Sequence, residues 1–148
     1  MVSLKLALLA ALSSSVLATP VASSDGNSNL AKRTEGLYLV NCGNSYSVVV
    51  YCANYLSCSF TPSSQNQCRP SSGIQHWEGS SQKCTFPGSG TTFTWNIRAD
   101  AQDPSVYARV GTGSNGFHPF SIFKEDKTAL YTDGNGNRCN KIYNAYPN

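Results

Sequence analysis

Residues 37–52 read LYLVNCGNSYSVVVYC. Leu37-Tyr38-Leu39-Val40 and Tyr46-Ser47-Val48-Val49-Val50-Tyr51 are rich in β-branched and aromatic residues. Asn41-Cys42-Gly43-Asn44 between them carries turn chemistry, so the stretch predicts a β-hairpin. In the second run Tyr46, Val48, Val50 and Cys52 share one face, which aims Cys52 inward with the valines.

The same pattern continues through the chain. Cys84-Thr85-Phe86, Thr91 to Ile97, Val106 to Val110, Phe120 to Phe123, Thr128 to Tyr131 and Cys139 to Tyr143 read as further strands. In the Thr91 run, Phe93, Trp95 and Ile97 alternate with Thr92, Thr94 and Asn96, so the large residues point inward. Asp133-Gly134-Asn135-Gly136-Asn137 is the strongest turn signal, with Tyr131 and Tyr143 as cross-strand neighbours around it. Thr61 to Gly73 has almost nothing to bury and holds two prolines; it predicts a long surface loop pinned by Cys68. The one helical candidate is Ala99 to Ser105, limited by Pro104. Seven or eight short strands with frequent turns predict an all-β domain, an antiparallel sandwich or small barrel.

Cys42, Cys52, Cys58, Cys68, Cys84 and Cys139 form an even set. Three disulfides are the expected arrangement, with the pairing open. A bridge through Cys139 closes a long loop and is worth about 3–5 kcal/mol. A metal site is not expected. No Cys-x-x-Cys pair occurs, and neither histidine stands at finger-like spacing from two cysteines.

All six cysteines follow Lys32-Arg33, and a secretion signal precedes it. Met1 to Ala18 has Lys5, then an apolar core from Leu6 to Leu12, then Val16-Leu17-Ala18, the order of a signal peptide with a small-residue cleavage site at Ala18. Residues 19–33 read as a propeptide whose closing Lys32-Arg33 resembles a fungal kexin-type processing site. The mature domain is then residues 34–148, secreted and extracellular. The whole chain has 11 Lys+Arg and 8 Asp+Glu; Lys5, Lys32, Arg33 and Asp25 depart with the precursor, leaving 8 against 7. A nearly neutral domain offers no electrostatic footprint for nucleic acid or an anionic membrane. Beyond the signal, no apolar run approaches the length that spans a bilayer.

Catalytic motifs are sparse. Gly111-Thr112-Gly113-Ser114-Asn115-Gly116 matches G-x-G-x-x-G, but Pro119 bars the helix whose N-terminus would hold a phosphate. It reads as a glycine-rich turn, with no cofactor implied. The residue types of a metal-free ribonuclease are present: Glu78 or His76 as base, His118 as acid, Arg109 to stabilise the phosphorane. This inventory resembles that of the fungal guanyl-specific ribonucleases without their Tyr-x-His and Glu-x-Pro-Ile segments. No Gly-x-Ser-x-Gly or HExxH motif occurs, and no acid pair sits in a glycosidase-like motif. Asp133 to Asn137 lacks the later bidentate acid of a calcium loop. Trp95 reads as buried, whereas Trp77, between His76 and Glu78, either makes an exposed sugar or protein contact or plugs one end of the sheet pair.

The layout of signal, short propeptide ending in Lys32-Arg33, six cysteines and β-rich mature domain resembles the small secreted cysteine-rich proteins of filamentous fungi. Many of these are effectors or elicitors that trigger defence or cell death in plants. The resemblance implies a non-enzymatic protein whose partner is a host surface or apoplastic protein, or a cell-wall polysaccharide. A secreted ribonuclease and a cell-wall carbohydrate-binding module are the alternatives.

Overall fold

The computed structural model describes residues 35–148. The signal, the propeptide and the processing residues Ala18, Lys32 and Arg33 lie outside the described residues. Among the described residues nine strands form one antiparallel sheet: β1 Gly36–Cys42, β2 Tyr46–Cys52, β3 Gln67–Cys68, β4 Ser81–Thr85, β5 Thr92–Ile97, β6 Arg109–Ser114, β7 Pro119–Lys124, β8 Ala129–Thr132 and β9 Arg138–Pro147. The main path runs β3-β2-β1-β9-β7-β6-β5-β4, with β8 added to β9. Its two edges, β3 and β4, are joined by the Cys68–Cys84 disulfide. The Gly88 amide also donates to the Gln65 carbonyl at 3.2 Å. The sheet thereby curls into a nearly closed barrel, which removes the exposed edges an open sheet would offer for aggregation.

The 37–52 hairpin forms with Gly43–Ser45 as its turn and Gly43 at φ +55°. It is buried on both faces. Leu37, Leu39 and Val49 enter the barrel core with Phe93, Trp95, Ile97, Phe120 and Ile122. Tyr38, Val40, Tyr46, Val48 and Val50 enter a second cluster with Leu130 and Tyr131. That outer cluster also holds the two other bridges, Cys42–Cys139 between the paired positions of β1 and β9, and Cys52–Cys58. Cys52 is buried among the valines of its face, as the parity of β2 requires.

The glycine-rich segment corrects the sequence reading. Gly111 and Gly113 lie within β6, not in a turn. A bulge at Arg109–Gly111 turns both glycines toward the barrel interior. A Cβ on Gly113 would sit 2.6 Å from Phe93 Cζ, and one on Gly111 would sit 2.5 Å from the Asn96 carbonyl oxygen. The missing side chain at Gly113 makes room for the Phe93 ring, which stacks on Trp95 with centroids 5.8 Å apart, and the one at Gly111 for the β5 backbone at Asn96–Ile97. Gly113→Val is expected to destabilise the barrel by about 1–3 kcal/mol through overpacking, read as a lower urea midpoint with unchanged slope.

Other expectations shift. The loop from Thr61 to Gly73 contains β3, which closes the barrel edge against β2. Residues 99–105 form turns and no helix. The strand expected from Val106 begins at Arg109 instead. Tyr131 faces Cys139 across the β8–β9 ladder, while Tyr143 pairs with Leu39 and Lys124, so the two tyrosines belong to different cores.

Candidate functional site

The barrel has one plugged end and one open end. At the plugged end the inward positions of β1 and β2 turn polar, with Asn41 opposite Ser47. Their side chains meet at 2.6 Å, and the indole N–H of Trp77 donates to Asn41 Oδ1 at 2.9 Å. The Gln75 amide donates to Ser47 Oγ and the Gly79 amide to the Ile97 carbonyl, so residues 73–79 strap across the opening. Trp77 is only 1% exposed and packs against Trp95. It fills the barrel end, the plug of the two readings, and presents no contact surface, which overturns the exposed sugar or protein contact.

Glu78 follows Trp77 into the same end. Its Oε1 accepts hydrogen bonds from the Tyr143 hydroxyl and, at 2.9 Å, from the Gln102 amide. His76 Nδ1 lies 3.9 Å from the other carboxylate oxygen, with its side chain 100% exposed. Burial works against ionisation of Glu78, but the hydrogen bonds from Tyr143 and Gln102 outweigh it and hold the carboxyl below its ordinary value. Burial and the same Glu78 contact push the Tyr143 hydroxyl upward. Glu78 is thus a structural acceptor and a weakened base.

Glu78 binds its proton less tightly folded than unfolded, so its contribution is present above its ordinary value of 4.5 and lost as pH falls through the depressed folded value. Tyr143 contributes below its ordinary value of 10.0 and loses that contribution as pH rises through the raised folded value. Glu78→Gln is expected to shallow the fall in melting temperature between about pH 6 and about pH 3, leaving a residual slope from Asp126 and Asp133, whose carboxyls are also held down.

The remaining ribonuclease candidates, Arg109 and His118, stand apart from each other. Arg109 is exposed at the first residue of β6, and His118 is exposed in the turn beyond its last residue. Five strand steps at about 3.3 Å separate the two ends of β6, roughly 16 Å. Asn115 Oδ1 accepts the His118 amide at 2.8 Å, which commits that turn to hairpin geometry. Only His76 and Glu78 come together, so the structure does not assemble the base, acid and cation that RNA cleavage requires. Among the described residues no group of three or more His, Cys, Asp or Glu stands close enough to hold a metal ion.

The open end holds a cavity of about 480 Å³. Its floor is Leu37, Phe86, Phe93 and Phe120, the outermost inward residues of the barrel core. Its rim carries Glu35, Tyr51, Gln65, Asn66 and Asn115. The Tyr51 hydroxyl donates to Glu35 Oε2 at 3.1 Å and its ring meets Phe86 edge-on. Gly88 lets the β4–β5 hairpin close on this rim, since a Cβ there would meet Gln65 Cβ at 2.8 Å. Phe117, 78% exposed, stands at the tip of the neighbouring β6–β7 hairpin. An apolar floor with a few polar groups at a barrel mouth suits an amphipathic ligand or an apolar side chain of a partner. Its one carboxylate, Glu35, is engaged by the Tyr51 hydroxyl, and no histidine, lysine or arginine among the described residues lines it.

The rim residues escaped the sequence reading because they come from four separate segments. The legible signal was the inward phenylalanine at Phe93, and Phe86 and Phe120 in their own short runs, without an indication that all three surround one opening. No family model matches the chain, and no curated protein or solved structure is similar enough to match it.

Proposed function

We propose that the chain is a secreted, non-enzymatic effector or elicitor that is recognised by, or binds, a component of a plant host. The observation that carries the non-enzymatic part is the separation of Arg109 and His118 at opposite ends of β6, with only His76 and Glu78 in contact, while the open mouth is lined, among the described residues, by one carboxylate and by no histidine or cation. Three disulfides support an oxidising, extracellular setting. No helix of the described residues is long and apolar enough to cross a membrane. The layout around Lys32-Arg33 supports fungal secretion and processing.

In this reading the partner contacts the mouth and the exposed Phe117 beside it. Leaf infiltration with folded mature protein, beside a reduced and alkylated control, tests the activity. Phe117→Asp is expected to keep the melting temperature and reduce the leaf response about tenfold or more, as loss of an exposed aromatic anchor does. An undiminished response would remove the mouth from the contact surface.

A further inference from the structure

A second concavity lies on the outside of the barrel and belongs neither to the mouth nor to the plugged end. It encloses about 300 Å³ between Tyr107, Phe123, Glu125, Lys141, Asn144 and Tyr146. Its base is polar and buried: Glu125 and Asn144 are each only 4% exposed. The Asn144 amide donates to Glu125 Oε1 and, at 2.8 Å, to the Tyr146 hydroxyl. Lys141 Nζ stands 3.3 Å from Glu125 Oε2 and 3.4 Å from Asp126 Oδ1. A buried carboxylate and amide with a half-buried ammonium, held in one network, form a preorganised set of acceptors and donors.

The walls are aromatic. Phe123 and Tyr146 lie with ring centroids 6.1 Å apart, and Tyr55 backs Tyr146 at 4.8 Å. Tyr107 forms the outer lip and is 62% exposed. Its backbone sits at φ +68°, where a bulky side chain is strained and glycine is the relaxed choice. The conformation is held because the Tyr107 amide donates to the Lys124 carbonyl at 2.8 Å, and the Lys124 amide to the Ala108 carbonyl at 3.0 Å. An exposed aromatic ring fixed in a strained backbone, over a buried polar network, is the kind of outlier from which a binding role is inferred.

We propose that this groove is a subsite for one uncharged sugar ring of a polysaccharide. Tyr107 and Phe123 would take the apolar C–H face of the ring, as amphipathic aromatic planes do. Glu125 offers a hydroxyl acceptor and Lys141 a donor. The two opposite charges, with Asp126 beside Lys141, disfavour both a cationic ligand next to the ammonium and an anionic one next to the carboxylates. The volume lies at the small end of the range for ligand sites and suits a single ring. This glycan contact moves from the buried Trp77 to the exposed Tyr107, and stands independently of the effector reading.

The test is titration of the folded mature protein with neutral hexasaccharides of β-1,3-glucose, β-1,4-glucose and β-1,4-N-acetylglucosamine, with an oligogalacturonate as charged control, followed by amide chemical shifts. At least one neutral sugar is expected to shift the signals of Tyr107, Phe123, Asn144 and Tyr146. Tyr107→Gly removes the ring while suiting the left-handed backbone, so folding is preserved. It is expected to weaken that binding about tenfold, and Tyr107→Phe to retain it. No shift with any neutral sugar, shifts confined to the mouth, equal binding of the oligogalacturonate, or full binding by Tyr107→Gly would each overturn the proposal.

Discussion

Replacing Cys42 and Cys139 together by alanine is expected to cost about 4–5 kcal/mol and to leave the domain largely unfolded at 37 °C. The bridge joins residues 97 apart in sequence, and a loop of that length is the kind whose closure most restricts the unfolded chain. A domain of this size has a total stability of about 5–15 kcal/mol, so the loss is a large fraction of the whole. Both sulfur positions are fully buried in the outer cluster, where the truncations also leave a gap beside Tyr131. The Cys52–Cys58 bridge, with a separation of 6, provides the contrast. By the same loop-entropy relation its removal is expected to cost about 2 kcal/mol. Urea unfolding of the two double variants measures both; similar midpoints would contradict the assignment of the long bridge as the main staple.

Trp77→Ala is expected to cost about 3–5 kcal/mol, the range for deleting a buried large aromatic side chain. It opens the plugged end, removes the ring pair with Trp95 at 5.7 Å and takes the indole donor from Asn41. Asn41 keeps its hydrogen bond from Ser47, so the loss is chiefly one of packing. The melting temperature should fall by on the order of 15 °C. Trp77→Phe is expected to lose less, because it retains most of the plug. A surface contact residue would behave in the opposite way, losing binding with little change in stability.

Trp77 also marks where sequence reading reaches its limit. Its neighbours His76, Glu78 and Gly79 are polar or small, which reads locally as exposure. Its burial is decided by a strap that crosses the barrel end and by Asn41 and Ser47, more than 29 positions earlier. Those two residues were the available signal. They interrupt the inward apolar face of the first hairpin and supply an acceptor for an indole. The strands themselves were legible wherever alternation was strong, as in Thr92–Ile97, because one face met the core and the other met solvent. In β1 and β2 alternation fails because both faces are covered. The two-residue strand β3 was hidden in a proline-containing loop, and β6 was masked by glycines that serve ring packing. The barrel, rather than a sandwich, depends on the Cys68–Cys84 pairing of the two sheet edges, one of many pairings that six cysteines allow.

The candidate site was less legible than the fold for the same reason. Glu35, Tyr51, Gln65 and Asn115 carry no motif and converge only when the sheet curls. The histidines, by contrast, drew attention through their chemistry, and the fold then placed them at opposite ends.

The most direct measurement compares leaf responses to the folded mature protein, its His76→Ala/His118→Ala variant and the reduced, alkylated chain at equal concentration. Both histidines are exposed, so the double variant should fold normally. Equal responses to the two folded proteins and none to the alkylated chain are expected of a non-enzymatic elicitor whose activity resides in the folded barrel. Loss of the response in the double variant at unchanged melting temperature, or no response to the folded protein in several hosts, would contradict it.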